Sequence, residues 1–147
     1  MPNRNKNMDK CYCTLSNSSE LEKIRNFVKK CASKFGFDTK ESYNIALAVD
    51  EACSNLIKYA FNMDTSKEIQ VRIEPSNDKM FVVSISDDAV PFDPLQISSP
   101  DMTEYFKRFT KGGLGIHIMK LFMDEISYMP KSDAKSKNVL MLKKQLK

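Results

Sequence analysis

Asp50-Glu51-Ala52-Cys53-Ser54-Asn55 sits inside a run in which Tyr43, Ala46, Leu47, Val49, Ala52, Cys53, Leu56, Ile57 and Ala60 recur at helical spacing. A helix apolar around most of its circumference belongs in the middle of a domain. Asp38 or Thr39 is placed to start it. Glu51 and Asn55, four positions apart, share one face of this helix, one turn from each other. Polar groups on such a face need a partner. An asparagine carbonyl is a hard-oxygen ligand suited to Mg²⁺ held between phosphates. A carboxylate one turn away can orient or deprotonate a nucleophile. Taken alone, the pair reads more simply as a helix edge that meets solvent.

On the N-terminal side, residues 1–9 are polar and read as a disordered end. Residues 10–15 alternate, with Cys11, Cys13 and Leu15 on one face, as in an edge strand. Ser18 or Ser19 can cap a first helix, with Glu22 available for a capping box. Leu21, Ile24, Phe27, Val28, Cys31 and Phe35 give that helix its apolar stripe, and Gly36 is placed to end it.

On the C-terminal side, a turn at Asn62-Met63-Asp64 leads to two alternating strands. Ile69, Val71 and Ile73 mark the first, Phe81, Val83 and Ile85 the second, and Ser76-Asn77-Asp78 the hairpin between them. The stretch 87–113 contains Pro91, Pro94 and Pro100 and a short helical piece at 102–109. So long a connection inside a domain is typically a functional lid. A helix over 114–123 follows, then strands at 125–128 and 139–146 joined by a polar loop at 130–137. Strands in hairpins with helices between them predict an α+β fold, a two-layer α/β sandwich. Its mixed, mainly antiparallel sheet carries the helices on one face. Residues 10–147 read as one domain, without internal repeats or a linker.

The chain has 147 residues, 41% hydrophobic and 29% charged, with a net charge of +4. That suffices for one well-filled core. No apolar run reaches the roughly 18 residues of a membrane span, and the N-terminus lacks a signal-peptide core, so a cytoplasmic protein is expected. Lys143, Lys144 and Lys147 make a mildly basic end, which reads as solvated strand. Basic residues interleaved with aromatics are missing, so direct nucleic-acid recognition is not expected. Cys11, Cys13, Cys31 and Cys53 read as reduced thiols, and with His117 as the one histidine they are too few and too scattered for a structural zinc site. His117 itself reads as a packed or capping residue, and the nine methionines as core filler.

Two further segments carry chemistry. In Ser86-Asp87-Asp88-Ala89-Val90-Pro91-Phe92-Asp93-Pro94, Asp87 closes an apolar strand. A carboxylate there can accept a hydrogen bond from an exocyclic amino group such as that of adenine, although an ordinary turn aspartate looks the same. Asp88 and Asp93 read as turn and cap residues. Gly112-Gly113-Leu114-Gly115 holds three of the four glycines of the chain and opens a helix. Such a loop lets backbone N–H groups approach a phosphate at the positive end of the helix dipole. Arg108 and Lys111 lie just upstream. It is neither a Walker loop nor a dinucleotide fingerprint.

In this order the segments resemble the Bergerat or GHKL ATP-binding fold of histidine kinases and gyrase B. Within it they are most similar to the single-domain anti-sigma factor serine kinases of the RsbW and SpoIIAB type. Ala48-Val49-Asp50-Glu51-Ala52-Cys53-Ser54-Asn55, residues 87–94, Gly112 to Ile118 with 123–128, and Asn138-Val139-Leu140-Met141-Leu142-Lys143 carry the resemblance. It implies ATP and Mg²⁺ as cofactors. It implies Asn55 as the Mg²⁺ ligand and Glu51 as the base that activates a serine hydroxyl. Asp87 would read the adenine amino group beside Ala89, and Arg108, Lys111, Gly112, Gly113, Leu114 and Gly115 would lie at the phosphates. The implied partners are a STAS-domain anti-anti-sigma protein, phosphorylated on serine, and a sigma factor sequestered by a homodimer. Ala89 departs from the glycine common in the family and so lacks easy access to positive φ. That departure keeps a second reading in view, a non-catalytic module of the same fold that only sequesters partners. A detached histidine-kinase catalytic domain is disfavoured, because neither dimerisation helices nor a phospho-acceptor histidine context is present.

Overall fold

The structure, a computed structural model of the chain, describes residues 8–89, 115–133 and 135–147. Five strands, β1 (Lys10–Leu15), β2 (Glu68–Ile73), β3 (Met80–Asp87), β4 (Glu125–Met129) and β5 (Asn138–Gln145), form one sheet in the order β1-β2-β3-β5-β4. The expected sheet is mixed and mainly antiparallel; all four pairings among the described residues are antiparallel. Helices α1 (Leu21–Phe35), α2 (Thr39–Asn55) and α3 (Gly115–Phe122) form the second layer. The α+β two-layer sandwich is as expected.

The alternation of β2 and β3 decides which face is covered. Ile69, Val71 and Ile73, with Phe81, Val83 and Ile85, are fully buried beneath the helices. Ile24 and Val28 of α1, Ile45 and Val49 of α2, and Met119 of α3 meet them in a single core. Full burial of each such side chain is worth about 1.5–3 kcal/mol. Helix α2 packs on both α1 and α3, which explains its apolar circumference. Tyr43 is the exception, since it projects to solvent at 54% exposure. Phe35, Phe37 and Phe81 form an aromatic cluster with ring centroids 5.3–5.8 Å apart, Phe35 stacked on Phe37 and Phe37 edge-on to Phe81.

The helix ends follow local chemistry. Asp38 Oδ1 accepts the Glu41 N–H at 2.7 Å and caps α2. Gly36 ends α1 at φ 130°, where an added Cβ would stand 2.9 Å from Leu146 Cδ2. The start of α1 differs from expectation. Asn17, rather than Ser18 or Ser19, accepts the Ser19 N–H and caps a single 3₁₀ turn (Ser18–Glu20), so the Glu22 capping box does not form. An Asx turn closing two residues on outcompetes a serine cap.

In β1 the expected edge strand with a shared Cys11, Cys13 and Leu15 face is found. That face is the solvent face of the sheet. The half-buried Tyr12 faces the core and tilts against Phe27.

Candidate nucleotide site

Asn55 is the last residue of α2, and the chain then widens into a π-helical turn over Leu56–Ala60 before reversing through Asn62 and Met63 at positive φ. Such a turn re-aims side chains and recurs at functional sites. Asn55 is 5% exposed, and its Nδ2 is the one buried side-chain N or O atom without a partner among the described residues. A buried orphan amide costs about 1–3 kcal/mol, so a native protein that keeps one has a use for it.

Asp87 ends β3 on the helix-facing side. Antiparallel register sets it directly opposite Asn138, the first residue of β5. The two side chains therefore meet inside the fold. Asn138 Nδ2 donates to Asp87 Oδ1 at 3.0 Å and to the Ala89 carbonyl at 2.8 Å. The Ala89 N–H donates to the same Asp87 oxygen at 2.9 Å. Asn138 Oδ1 in turn accepts the Lys131 N–H at 2.9 Å. Asp87 Oδ1 is thus fully engaged, while Oδ2 has no partner among the described residues. Burial pushes the Asp87 carboxyl up, and the bonds from Asn138 and Ala89 pull part of the way back.

Ala52, Asn55, Leu56, Asp87, Met119, Tyr128 and Leu140 line a narrow crevice between α2, α3 and the β3–β5–β4 part of the sheet, with a cavity volume of about 20 Å³. Its walls are mostly apolar with a few polar groups, the general pattern of a small-molecule site. The free Asp87 oxygen can accept from an amino group on a base, and the unpaired Asn55 Nδ2 is a donor that calls for an acceptor such as a ring nitrogen or a phosphate oxygen. The Asn55 carbonyl on the same side chain is a hard oxygen of the kind Mg²⁺ takes, so the residues present fit a purine nucleotide and its Mg²⁺.

Glu51 lies one turn before Asn55, half-buried and outside the crevice lining. Burial, and then the neighbouring Asp50, raise its carboxyl above the ordinary value, while Lys58 lowers it. Asp50 itself is committed elsewhere, in an ion pair with Arg25 of α1 at 3.0 Å. Ala89 is buried and does not adopt positive φ, so nothing in its backbone demands glycine. Asp88 is exposed, and its carbonyl accepts from Lys131 Nζ at 2.8 Å. Gly115 is the first residue of α3. Arg108, Lys111, Gly112, Gly113, Leu114, Asp93, the lid and the short helix at 102–109 lie outside the described residues.

Asn138 is the site residue that motif reading missed as a side chain. Its signal was present: a polar residue heading an apolar strand, opposite an aspartate that ends another.

A model of the histidine kinase-like ATPase domain matches residues 15–144. The chain belongs to the histidine kinase-like ATPase family. It is 30% identical over 109 residues to the serine-protein kinase RsbW of Bacillus licheniformis and 31% identical over 108 residues to that of Bacillus subtilis (strain 168). Each alignment covers 70% of this chain and 66% of the relative, so the chain spans just under two thirds of the length of these curated relatives. The expected likeness to RsbW-type kinases is thereby borne out. Among solved structures, a chain of the SiaB–SiaC complex from Pseudomonas aeruginosa aligns over 93% of this chain and 88% of its own, with a TM-score of 0.60 and 15% identity. The histidine kinase domain of Erythrobacter litoralis EL346 aligns over 88% of this chain and 60% of its own, with a TM-score of 0.55 and 16% identity. These two share the fold. No helix among the described residues is long and apolar enough to cross a membrane.

Proposed function

We propose that this histidine kinase-like ATPase domain is a cytoplasmic serine protein kinase of the anti-sigma type. In this reading it binds Mg-ATP and phosphorylates a STAS-domain anti-anti-sigma protein. As a homodimer it exchanges that protein for a sigma factor. The observation that carries the reading is the half-engaged Asp87 carboxylate, one oxygen held by Asn138 and Ala89, beside the unpaired amide of Asn55 in an apolar crevice.

Each residue has a role in this account. Asp87 Oδ2 accepts from the adenine amino group, which favours ATP over GTP because guanine presents an acceptor at that position. Leu56, Met119 and Leu140 exclude water around the base. Asn55 offers its carbonyl to Mg²⁺, which when bound neutralises charge on the phosphates. Arg108, Lys111 and the loop of Gly112, Gly113, Leu114 and Gly115 hold the phosphate end. Glu51 accepts the proton of the partner's serine hydroxyl; its burial and Asp50 make it a stronger base than a solvated glutamate.

The test is transfer of labelled phosphate from Mg-ATP to a STAS-domain substrate. Transfer to serine by the native chain, its loss in Glu51→Gln and unchanged nucleotide binding in that variant support the assignment. Full transfer in Glu51→Gln removes Glu51 from the role of base.

A further inference from the structure

Cys11 and Cys13 stand apart from the other thiols. Cys31 and Cys53 are buried, whereas Cys11 and Cys13 are exposed on the outer face of the edge strand β1. That face is remote from the nucleotide crevice, which opens on the helix side of the sheet. Spaced two apart on a strand, the side chains point the same way. Their Sγ atoms are 3.7 Å apart.

Direct closure to a disulfide is geometrically poor. Residues two apart on an extended strand have Cα atoms about 6.4–6.8 Å apart, the upper edge of the disulfide range. A bridging atom relieves that constraint, because each sulfur then bonds to the bridge rather than to the other. No group of three or more His, Cys, Asp and Glu side chains gathers among the described residues. The bridge must therefore be satisfied by two sulfurs. Zn²⁺ requires four ligands in a structural site. Cu⁺ is the soft cation that thiolates select and that is content with two of them.

The surroundings suit the charge that results. A Cu⁺ ion held by two thiolates carries a net negative charge. Register places Arg72 directly opposite Cys11 and Gln70 opposite Cys13, on the same outer face. Gln70 Nε2 donates to Cys11 Sγ at 3.1 Å. The Arg72 guanidinium, ion-paired with Glu74 at 3.0 Å, lies across the register from Cys11. Glu68 and Lys137, ion-paired at 3.7 Å, lie close to Cys13 and bring one charge of each sign.

We propose that Cys11 and Cys13 form a two-thiolate surface site for Cu⁺, with Gln70 and Arg72 stabilising the anionic complex. Loading binds one Cu⁺, forms two Cu–S bonds and releases the two thiol protons to solvent. The oxidation state of copper and sulfur does not change.

The experiment is anaerobic titration of the full reduced chain with Cu⁺ in competition with a chromogenic Cu⁺ chelator. The expected result is one Cu⁺ per chain, with both fast-reacting thiols lost to a thiol reagent on loading. Cys11→Ser and Cys13→Ser should each weaken Cu⁺ binding by at least about tenfold, as loss of a direct ligand must exceed the cost of losing a supporting one. Both positions are exposed, so the variants keep the fold, which circular dichroism checks. Cys31→Ala serves as the control and should bind as the native chain does. Binding within twofold of native in either serine variant overturns the site. So does copper bridging two chains, or Zn²⁺ competing at equal concentration with Cu⁺.

Discussion

Asn138 Nδ2 lies 3.0 Å from Asp87 Oδ1, a bond made across the β3–β5 pair within the fold. The same amide group holds the Ala89 carbonyl, and its oxygen holds the Lys131 N–H. One side chain thus fixes the aspartate, the start of the segment after β3, and the loop before β5. Replacing Asn138 by Ala removes the partner of the Ala89 carbonyl and of the Lys131 N–H and leaves Asp87 Oδ1 with the Ala89 N–H alone, which should cost about 1–3 kcal/mol in urea unfolding. It should also weaken nucleotide binding more than it weakens the fold, because the free Asp87 oxygen loses its aim. Native-like affinity in a destabilised Asn138→Ala chain would make the bond structural only.

The buried amide of Asn55 gives the opposite expectation. Its Nδ2 has no partner among the described residues, so Asn55→Leu removes an unpaired polar group and keeps the branched shape. Stability should stay level or rise by about 1 kcal/mol. A loss of more than about 2 kcal/mol on thermal or urea unfolding would mean that the amide has a structural partner, contrary to its orphan state.

The sign of the pH dependence at Asp87 is fixed by its raised carboxyl. The native state holds the proton more tightly than the unfolded chain, so stability from this group is complete below its ordinary value of 3.8 and is lost as pH rises through the folded value. Glu51, raised from 4.5, acts in the same sense. Asp87→Asn should therefore melt above the native chain at neutral pH, and the gap should close on acidification below about pH 4. A gap independent of pH would show that desolvation of Asp87 is not its origin.

Thiol reactivity separates the four cysteines. Cys31 and Cys53 are buried and their thiols are pushed up, in both cases first by desolvation, whereas Cys11 and Cys13 are exposed. A thiol reagent should find two fast groups in the native chain and two more only after denaturation. Four equal rates would contradict the packing of α1 and α2 on the core.

Gly36 offers a backbone test. Its φ of 130° makes Gly36→Ala unfavourable, whereas the 2.9 Å approach of Leu146 Cδ2 to an added Cβ is relieved by a shift of that side-chain end. A loss of about 1–2 kcal/mol is expected on urea unfolding.

Much of this was legible in the sequence because the signals were periodic. The alternation in β2 and β3 and the round apolar surface of α2 are packing patterns that any sequence with this core must show. Asp38 and Gly36 were legible as caps because only a few residue types serve there. The face of β1 was not: Cys and Leu look apolar, yet on an edge strand their face turned outward and the amphipathic Tyr12 took the inner one. The site was legible as a set of types, Asn55 and Asp87, but not as a network. Asn138 and Asp87 are 51 positions apart and meet only through strand register, which no local pattern encodes. The penalty expected for Ala89 also depended on geometry, since it applies only where φ is positive and here it is not.

The most direct test of the nucleotide site is calorimetric titration with ATP, with and without Mg²⁺, of the native chain beside Asn55→Leu and Asp87→Asn. Magnesium-dependent binding by the native chain is predicted. Asn55→Leu should lose the dependence on magnesium, and Asp87→Asn should lose the preference for ATP over GTP. A folded native chain that binds no nucleotide, or Asn55→Leu and Asp87→Asn chains that bind it as the native chain does, would contradict the account.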